Sequence, residues 1–253
     1  MQYTKILFSP TGGTEKAANL LAEAMGNTWQ ELDLTSATTD YSQIGFTSDD
    51  VVLIAMPSFG GRIPPLAAER LCALSGGGAA AIVLCVYGNR AYEDTLIEMY
   101  DLAQKAGFCV AAGVAAVAEH SILHQYASGR PDATDKTTLT GFAAQIREKL
   151  DSGDRTAPKL PGNRPYKALG GGKMVPQANK SCTKCGACAA SCPVAAIDAA
   201  DPTKVDKNAC IGCMRCVSIC PVHARTVSKL MTTVAGLAIR KACTTRKECE
   251  LYL

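Results

Sequence analysis

A repeated run of cysteines constrains this chain more than any other feature of its sequence. Eight of the 13 cysteines fall between Cys182 and Cys220. The run from Cys182 to Pro193 has the pattern C-x2-C-x2-C-x3-C-P, and the run from Cys210 to Pro221 repeats it. The N-terminus leads straight into a strand-like run, so we expect no signal peptide and a reducing compartment. Dense, regularly spaced cysteines there indicate metal or cluster ligation rather than disulfides.

The spacing is the bacterial iron–sulfur pattern, in which three close cysteines hold one cubane cluster and the fourth ligates the other cluster. We therefore expect two [4Fe-4S] clusters with crossed ligation. The predicted ligands are Cys182, Cys185, Cys188 and Cys220 for cluster I, and Cys210, Cys213, Cys216 and Cys192 for cluster II. Gly186 and Gly212 suit the positive φ or the close backbone approach of such loops. Zinc is the alternative, but two full runs do not match the usual spacing of a four-thiolate zinc site.

Charge is distributed unevenly along the 253 residues. Residues 1–150 carry 10 Lys and Arg against 16 Asp and Glu, a net charge of −6, whereas residues 151–253 carry 16 against 7, a net charge of +9. The two parts differ in kind, so we predict two domains. The whole chain has a net charge of only +3, which gives no reason to expect a nucleic-acid partner. No apolar run reaches the length of a spanning helix, so we also expect no membrane anchor.

The cysteine-rich segment is itself basic. Residues 176–230 carry seven Lys and Arg against three Asp and Glu, a net charge of +4. Two oxidised cubanes with four thiolates each carry about −4 together, so the basic excess offsets the charge of the cofactors. With its two cysteine runs, this segment resembles the two-cluster bacterial ferredoxins. The resemblance implies a small α+β domain.

Apolar runs alternate with helical patterns over residues 1–150. Strand-like runs occupy residues 3–8, 51–55, 79–86 and 108–117, with a weaker one near 28–34; helical patterns occupy residues 15–25, 64–73, 91–106 and 134–150. Continuous apolar strands that alternate with helices predict an α/β fold with a doubly wound, five-stranded parallel sheet. In such a sheet a ligand binds at the carboxyl ends of the strands.

Three loops at that edge have the composition of a binding site. Hydroxyls and glycines that open the first helix predict an anion site for one phosphate group, although a capped helix after a glycine turn is the alternative. Glycines beside aromatic residues in the other two loops allow a planar ring to approach the backbone. The three sets of candidates are Ser9, Thr11, Gly12, Gly13 and Thr14; Pro57, Ser58, Phe59, Gly60 and Gly61; and Tyr87, Gly88, Asn89, Arg90 and Tyr92.

These loops resemble the FMN phosphate loop and the two isoalloxazine loops of flavodoxins, which implies that residues 1–150 bind FMN. The only tryptophan, Trp29, belongs to the second strand rather than to these loops. The ring that stacks on the flavin therefore stays open between Phe59 and Tyr92. The chain as a whole resembles the flavodoxin–ferredoxin fusion proteins of anaerobic bacteria.

This resemblance divides the chain into four parts. We predict a flavodoxin-like FMN-binding domain over residues 1–150, a linker over 151–175, a ferredoxin domain with two [4Fe-4S] clusters over 176–230, and a helical tail over 231–253. The alternative for residues 151–175 is a structured arm packed across the sheet. The helical stretch 230–241 is expected to brace the cluster domain against the first domain.

The predicted function is electron transfer in the cytoplasm, between the two clusters, FMN and a redox partner protein. One alternative is an FMN-dependent reductase of a small organic acceptor, with His124 or Tyr92 as the proton donor. Another is a ferredoxin whose first domain binds no flavin and serves for docking. His120 and His124 follow the last strand on the flavin side, where ordinary hydrogen-bonded loop histidines are the simpler interpretation. Without a dinucleotide fingerprint, we expect no NAD(P)H site.

Overall fold

The computed structural model describes residues 1–170 and 174–253. In the first 151 residues five strands alternate with four α-helices, as the apolar pattern predicts, except that a short 3-10 helix (Tyr41–Gln43) stands between the second and third strands. The elements are β1 (Tyr3–Leu7), α1 (Gly13–Met25), β2 (Trp29–Asp33), β3 (Val51–Pro57), α2 (Pro65–Cys72), β4 (Ala80–Tyr87), α3 (Thr95–Lys105), β5 (Cys109–Val117) and α4 (Ala133–Asp151). No helix among the described residues is long and apolar enough to cross a membrane.

The five strands form a parallel sheet in the order β2-β1-β3-β4-β5. This is the doubly wound order whose switch point lies between β1 and β3. Helices cover both faces of the sheet. On one face Ile54 packs in the same cluster as Leu71 of α2 and Leu96 of α3. On the other face Leu53 packs with Leu21 of α1 and with residues of α4. Burial on both faces explains why the central strands are continuously apolar.

The sheet has one strand more than the sequence predicts. The short strand β8 (Glu250–Tyr252) pairs antiparallel with β5, and Gly113 lies opposite Tyr252 in this register. An open edge strand presents unpaired backbone groups, and β8 satisfies part of that edge. Three residues at the end of a polar tail give too short a pattern for a strand to be predicted from sequence.

The cysteine-rich segment folds as two similar halves. It contains β6 (Gln177–Ala178), α5 (Ala187–Ala190), α6 (Arg215–Ser218) and β7 (Arg225–Thr226), and β6 pairs antiparallel with β7. Corresponding residues of the two cysteine runs share a positive φ between +49° and +79°: Lys184 and Gly212, Gly186 and Met214, Ala195 and His223. The sequence repeat is thus also a repeat of backbone conformation, and the expected positive φ of Gly186 and Gly212 is confirmed.

The segment predicted as a linker contacts the first domain. Leu160 is buried in the core on the α2 and α3 side. The backbone N–H groups of Asn163 and Lys167 donate to the carboxylate of Asp94 at 2.8 and 2.7 Å. Arg164 Nε donates to Asp101 Oδ2 on α3 at 2.8 Å. These bonds correspond to the alternative interpretation, a structured arm; residues 171–173 of the predicted linker lie outside the described residues.

The C-terminal tail returns to the first domain. It begins with α7 (Lys229–Cys243), close to the predicted stretch 230–241. The hydroxyl of Tyr126 donates to the carbonyl of Gly236 at 2.7 Å. The amide of Asn89, which is only 3% exposed, donates to the carbonyls of Cys243 and Thr245, both at 2.9 Å, and accepts from the N–H of Lys247 at 3.0 Å. One side chain thus fixes the tail between α7 and β8.

Asn89→Ala removes three buried or part-buried hydrogen bonds at once. We expect it to lower the free energy of unfolding by about 2–4 kcal/mol, since each bond contributes about 1 kcal/mol and the tail carbonyls lose their donors. Hydrogen exchange at Glu250–Tyr252 should rise in this variant. Asn163→Ala is the control, because that exposed side chain makes a single bond, to Asp94. Equal exchange in the two variants would contradict the role given to Asn89.

Candidate cofactor sites

The loop after β1 has the geometry of an anion site. Gly12 takes a left-handed conformation with φ +86° and caps α1. Ser9 Oγ accepts the N–H of Glu15 at 2.9 Å and so shapes the loop. The first N–H groups of a helix have no acceptors within the helix, so those of Gly13 and Thr14 face outward. Apart from its chain neighbours, no atom of the described residues lies within 4 Å of the place where a Cβ on Gly12 would be. The open, positively polarised loop fits a phosphate group.

A cleft runs from this loop along the carboxyl ends of β3 and β4. Eight of the 15 predicted flavin-site residues line it: Thr11, Gly13, Thr14, Pro57, Ser58, Phe59, Tyr87 and Gly88. Gly60 has φ +63° and open space where its Cβ would be. Gly61 is buried with φ +92°, and a Cβ there would overlap the carboxylate of Glu93. These two glycines shape the loop that follows Phe59, and Phe59 itself lines the cleft.

Three predicted residues use their side chains elsewhere. Asn89 binds the C-terminal tail, as described above. Arg90 forms an ion pair with Glu93 at 2.9 Å. The hydroxyl of Tyr92 bonds to Glu250 at 2.7 Å and to Tyr252 at 2.9 Å. Burial raises the pKa of Tyr92, and its partners in β8 add to the shift. Tyr92 therefore anchors the tail, and its ring packs edge-on against Tyr87 at 5.2 Å.

The loop between β5 and α4 contributes residues that are not among the 15 flavin-site residues predicted from the sequence. Glu119, His120 and Ser121 line the cleft. The His120 side chain lies over Gly88, where a Cβ would come within 2.7 Å of the His120 Cβ and 2.8 Å of its ring. Its Nδ1 accepts N–H groups of the following loop at 3.2 and 3.3 Å, so Nε2 carries the proton. Burial lowers the pKa of His120 and keeps the ring neutral. The signal in the sequence is its position directly after the last strand.

A second cavity of about 420 Å³ adjoins the cleft and lies between the two domains. It shares Thr11, Gly13, Glu119 and Ser121 with the cleft. Its outer wall includes Lys16, Asn19 and His124 of the first domain and Met214, Val217 and Ser218 of the second. His124 Nδ1 lies 2.7 Å from Glu119 Oε1. A small polar molecule fits this space beside the cleft.

The second half of the cysteine segment faces the first domain. Cys213 lines the cleft together with Thr11, Phe59 and Tyr87. Ile211 packs against the core on the α2 and α3 side. Two polar contacts between the domains lie in the same region: Arg70 Nη2 donates to Pro193 O at 2.8 Å, and Arg215 pairs with Asp33 at 4.0 Å. Proximity of Cys213 to the cleft requires the folded arrangement of both domains, which the sequence alone does not supply.

Backbone N–H groups point at the cysteine sulfurs. Cys192 Sγ accepts from Ala196 at 3.3 Å, Cys210 Sγ from Gly212 at 3.4 Å, and Cys220 Sγ from Ala224 at 3.1 Å. Burial acts to raise the pKa of Cys220, but the backbone N–H groups of Arg225, Ala224 and Val222 hold it below its ordinary value. Burial raises the pKa of Cys216 to about 12, against the opposing charge of Arg225. Donors aimed at sulfur suit thiolates that ligate a cluster.

The donor set fits clusters better than a single ion. Within residues 1–170 and 174–253, no three Cys, His, Asp or Glu side chains converge on one metal-ion position. The thiolates of a cubane bind four different irons and so stand around a cube rather than a point. Of the eight cysteines in the two runs, Cys185 is the exposed one and the others are buried or half-buried.

Comparisons with known proteins agree with the cysteine pattern. A family model described as a 4Fe-4S dicluster domain matches residues 181–224. Among curated proteins none matches this chain. Solved structures similar to the chain include a flavodoxin of Streptococcus pneumoniae TIGR4, at 19% identity and TM-score 0.44, which covers 59% of this chain and 99% of that one.

Two further structures align with a similar share of the chain. Rubredoxin oxygen:oxidoreductase from Desulfovibrio gigas has 19% identity and TM-score 0.43, and the alignment covers 60% of this chain but only 36% of that one. The two-electron reduced flavodoxin of Megasphaera elsdenii has 17% identity and TM-score 0.37, with 57% and 99% covered. The strand order 2-1-3-4-5 is itself that of flavodoxin. The chain joins a flavodoxin-like α/β domain to a 4Fe-4S dicluster domain.

Proposed function

We propose that this protein carries electrons between a redox partner protein, two [4Fe-4S] clusters and one FMN, in the cytoplasm. The position of Cys213 carries this proposal. This predicted ligand of cluster II lines the cleft between the loops that resemble flavin-binding loops. Cluster II is therefore the one next to the flavin. Cys185, the exposed one of the eight cysteines in the two runs, belongs to predicted cluster I, so the partner exchanges electrons there.

Different residues of the first domain bind the phosphate and the ring of the flavin. The N–H groups of Gly13 and Thr14 and the hydroxyl of Thr11 bind the phosphate. Phe59 and Tyr87 enclose the ring, with His120 at the third side. FMN accepts one or two electrons, whereas each cluster transfers one. The neutral His120 offers a hydrogen bond from Nε2 into the cleft. Burial lowers the pKa of His120, which favours the neutral ring that makes this contact.

A reductase is the second candidate, because of the cavity of about 420 Å³ beside the cleft. A small organic acceptor fits there next to the flavin. His124, paired with Glu119, is the proton donor in this alternative; Tyr92 is not, because its hydroxyl binds the tail. Saturable reduction of small acceptors, slowed at least tenfold in His124→Gln with unchanged flavin content, would favour the reductase over the carrier.

Cofactor content is the first test. Protein purified without oxygen should contain about eight irons and one FMN per chain. Gly88→Val should weaken FMN binding at least tenfold with iron unchanged, because its side chain would occupy the place of the His120 ring. Gly141→Ala is the control, since it adds a methyl group in open space on α4. About eight irons without FMN, even after FMN is added, would leave a ferredoxin with a docking domain.

Crossed ligation can be tested by combining cysteine variants. Cys192→Ala should lose cluster II although Cys192 belongs to the first run, so iron should fall to about four. Adding Cys213→Ala should remove no further iron, whereas adding Cys185→Ala should remove nearly all of it. The reverse pattern, with Cys185→Ala adding nothing, would contradict the crossed assignment. Flavin content measured in the same samples shows whether the first domain stays folded.

NADPH alone should not reduce the protein. The loop after β1 lacks the dinucleotide fingerprint, and electrons enter through cluster I in this proposal. The visible spectrum under NADPH, followed without oxygen, checks this expectation, with dithionite as the positive control. Bleaching by NADPH within seconds would overturn it.

A further inference from the structure

The cluster domain contains an arginine that is almost completely buried. Arg225 begins β7 opposite Ala178 and is only 2% exposed. Its guanidinium contacts the carbonyls of Pro176 and Pro202 and lies 3.6 Å from Cys188 Sγ. Its Nε has no hydrogen-bond partner among the described residues. No carboxylate in that part of the chain forms an ion pair with it. A buried cation without a counter-charge is costly, so it implies an anion at this place.

Comparison of the two cysteine runs shows that only the second run has an arginine at the place of Arg225. Cys192-Pro-Val-Ala-Ala-Ile197 in the first run corresponds to Cys220-Pro-Val-His-Ala-Arg225 in the second. In both halves the alanine before the last residue donates its N–H to the cysteine sulfur. Ile197 is buried as well, at 6% exposed. The two halves therefore match in backbone but differ by an aliphatic side chain against a cation.

We propose that Arg225 is the internal counter-cation of the cluster domain and raises the reduction potential of cluster I above that of cluster II. This rests on the proposed function, because Cys188 and Cys220, which flank Arg225, are predicted ligands of cluster I. The charge of Arg225 also acts on Cys216 of predicted cluster II, but the guanidinium itself contacts the sulfur of Cys188. Reduction adds one electron, taken from the partner protein, and makes the cluster more negative with no bond formed or broken. A fixed cation in a region of low dielectric stabilises the reduced form more than the oxidised form.

The two side chains at this place make the clusters inequivalent. Arginine stays charged at every accessible pH, so the effect does not depend on protonation. By the pseudo-symmetry of the halves, Ile197 takes the matching place near cluster II and supplies no charge. With the cofactors bound, an electron from the partner would rest on the cluster held by Cys188 and Cys220 beside Arg225 before it reached the flavin.

The test is a redox titration of the purified holoprotein followed by EPR. The wave that disappears in Cys185→Ala identifies cluster I. In Arg225→Met, the ratio of reduced to oxidised cluster I at a fixed potential should fall at least tenfold, which is about 59 mV for one electron. The change for cluster II should be smaller. Arg225→Lys keeps the charge. In this variant the ratio of reduced to oxidised cluster I at the same potential should stay within about threefold of the wild-type ratio, where tenfold corresponds to about 59 mV.

Arg240→Met is the matched control, since it removes the same charge from an exposed position on α7. It should leave both waves in place. Unchanged potentials in an Arg225→Met protein with full iron, or equal shifts of both waves, would overturn the proposal. If the Arg225→Met protein loses iron, the Arg225→Lys protein gives the answer. Full iron content with wild-type potentials of both clusters would support the role of the charge. Full iron content with the two reduction waves merged into one would refute it. Wild-type iron content, measured first, separates failure of this inference from failure of the proposed function.

Discussion

The arrangement of the two domains depends on the hydrogen bonds that return the C-terminal tail to the sheet. Asn89 holds three backbone groups of the tail, and Arg130 adds a bond to the carbonyl of Lys247 at 2.7 Å. On the other side of the cluster domain, residues 160–167 are bonded to Asp94, just before α3, and to Asp101 on α3. Both chain connections of the cluster domain are thus tied to the first domain. This double attachment accompanies the direct packing of Ile211 on the first domain, and Cys213 lines the cleft.

The charge asymmetry of the chain has a second explanation besides the clusters. Basic residues of the second part form ion pairs with acidic residues of the first: Arg164 with Asp101, Lys167 with Glu93, Arg215 with Asp33, and Arg246 with Asp132. Exposed pairs of this kind each contribute less than about 1 kcal/mol. In all four pairs the base belongs to the second part and the acid to the first. The pairs together therefore favour association of these two parts over other arrangements. The excess of +9 therefore serves the domain contact as well as the cofactors.

The sequence predicts what local patterns encode and omits what depends on distant partners. Continuous apolar runs identify β1 to β5, and the cysteine spacing identifies the cluster domain, because each signal lies within a few neighbouring residues. Asn89 and Tyr92 stand where cofactor ligands are expected, yet their partners lie more than 150 residues away in the tail. Residues 160–167 also have their partners far away in the sequence, whereas their own proline and glycine content is typical of a linker. Placement of Cys213 at the cleft likewise depends on domain packing.

The sixth strand, β8, connects loss of electron transfer with aggregation. β8 covers Gly113–Ala115 on the open side of β5, and Leu160 packs against Gly113. If a protease or oxidative damage releases the tail, the backbone groups of β5 become available to a strand of another molecule. The same event frees one attachment of the cluster domain. Loss of electron transfer and the start of aggregation would therefore have one origin, and old preparations would fail in both respects together.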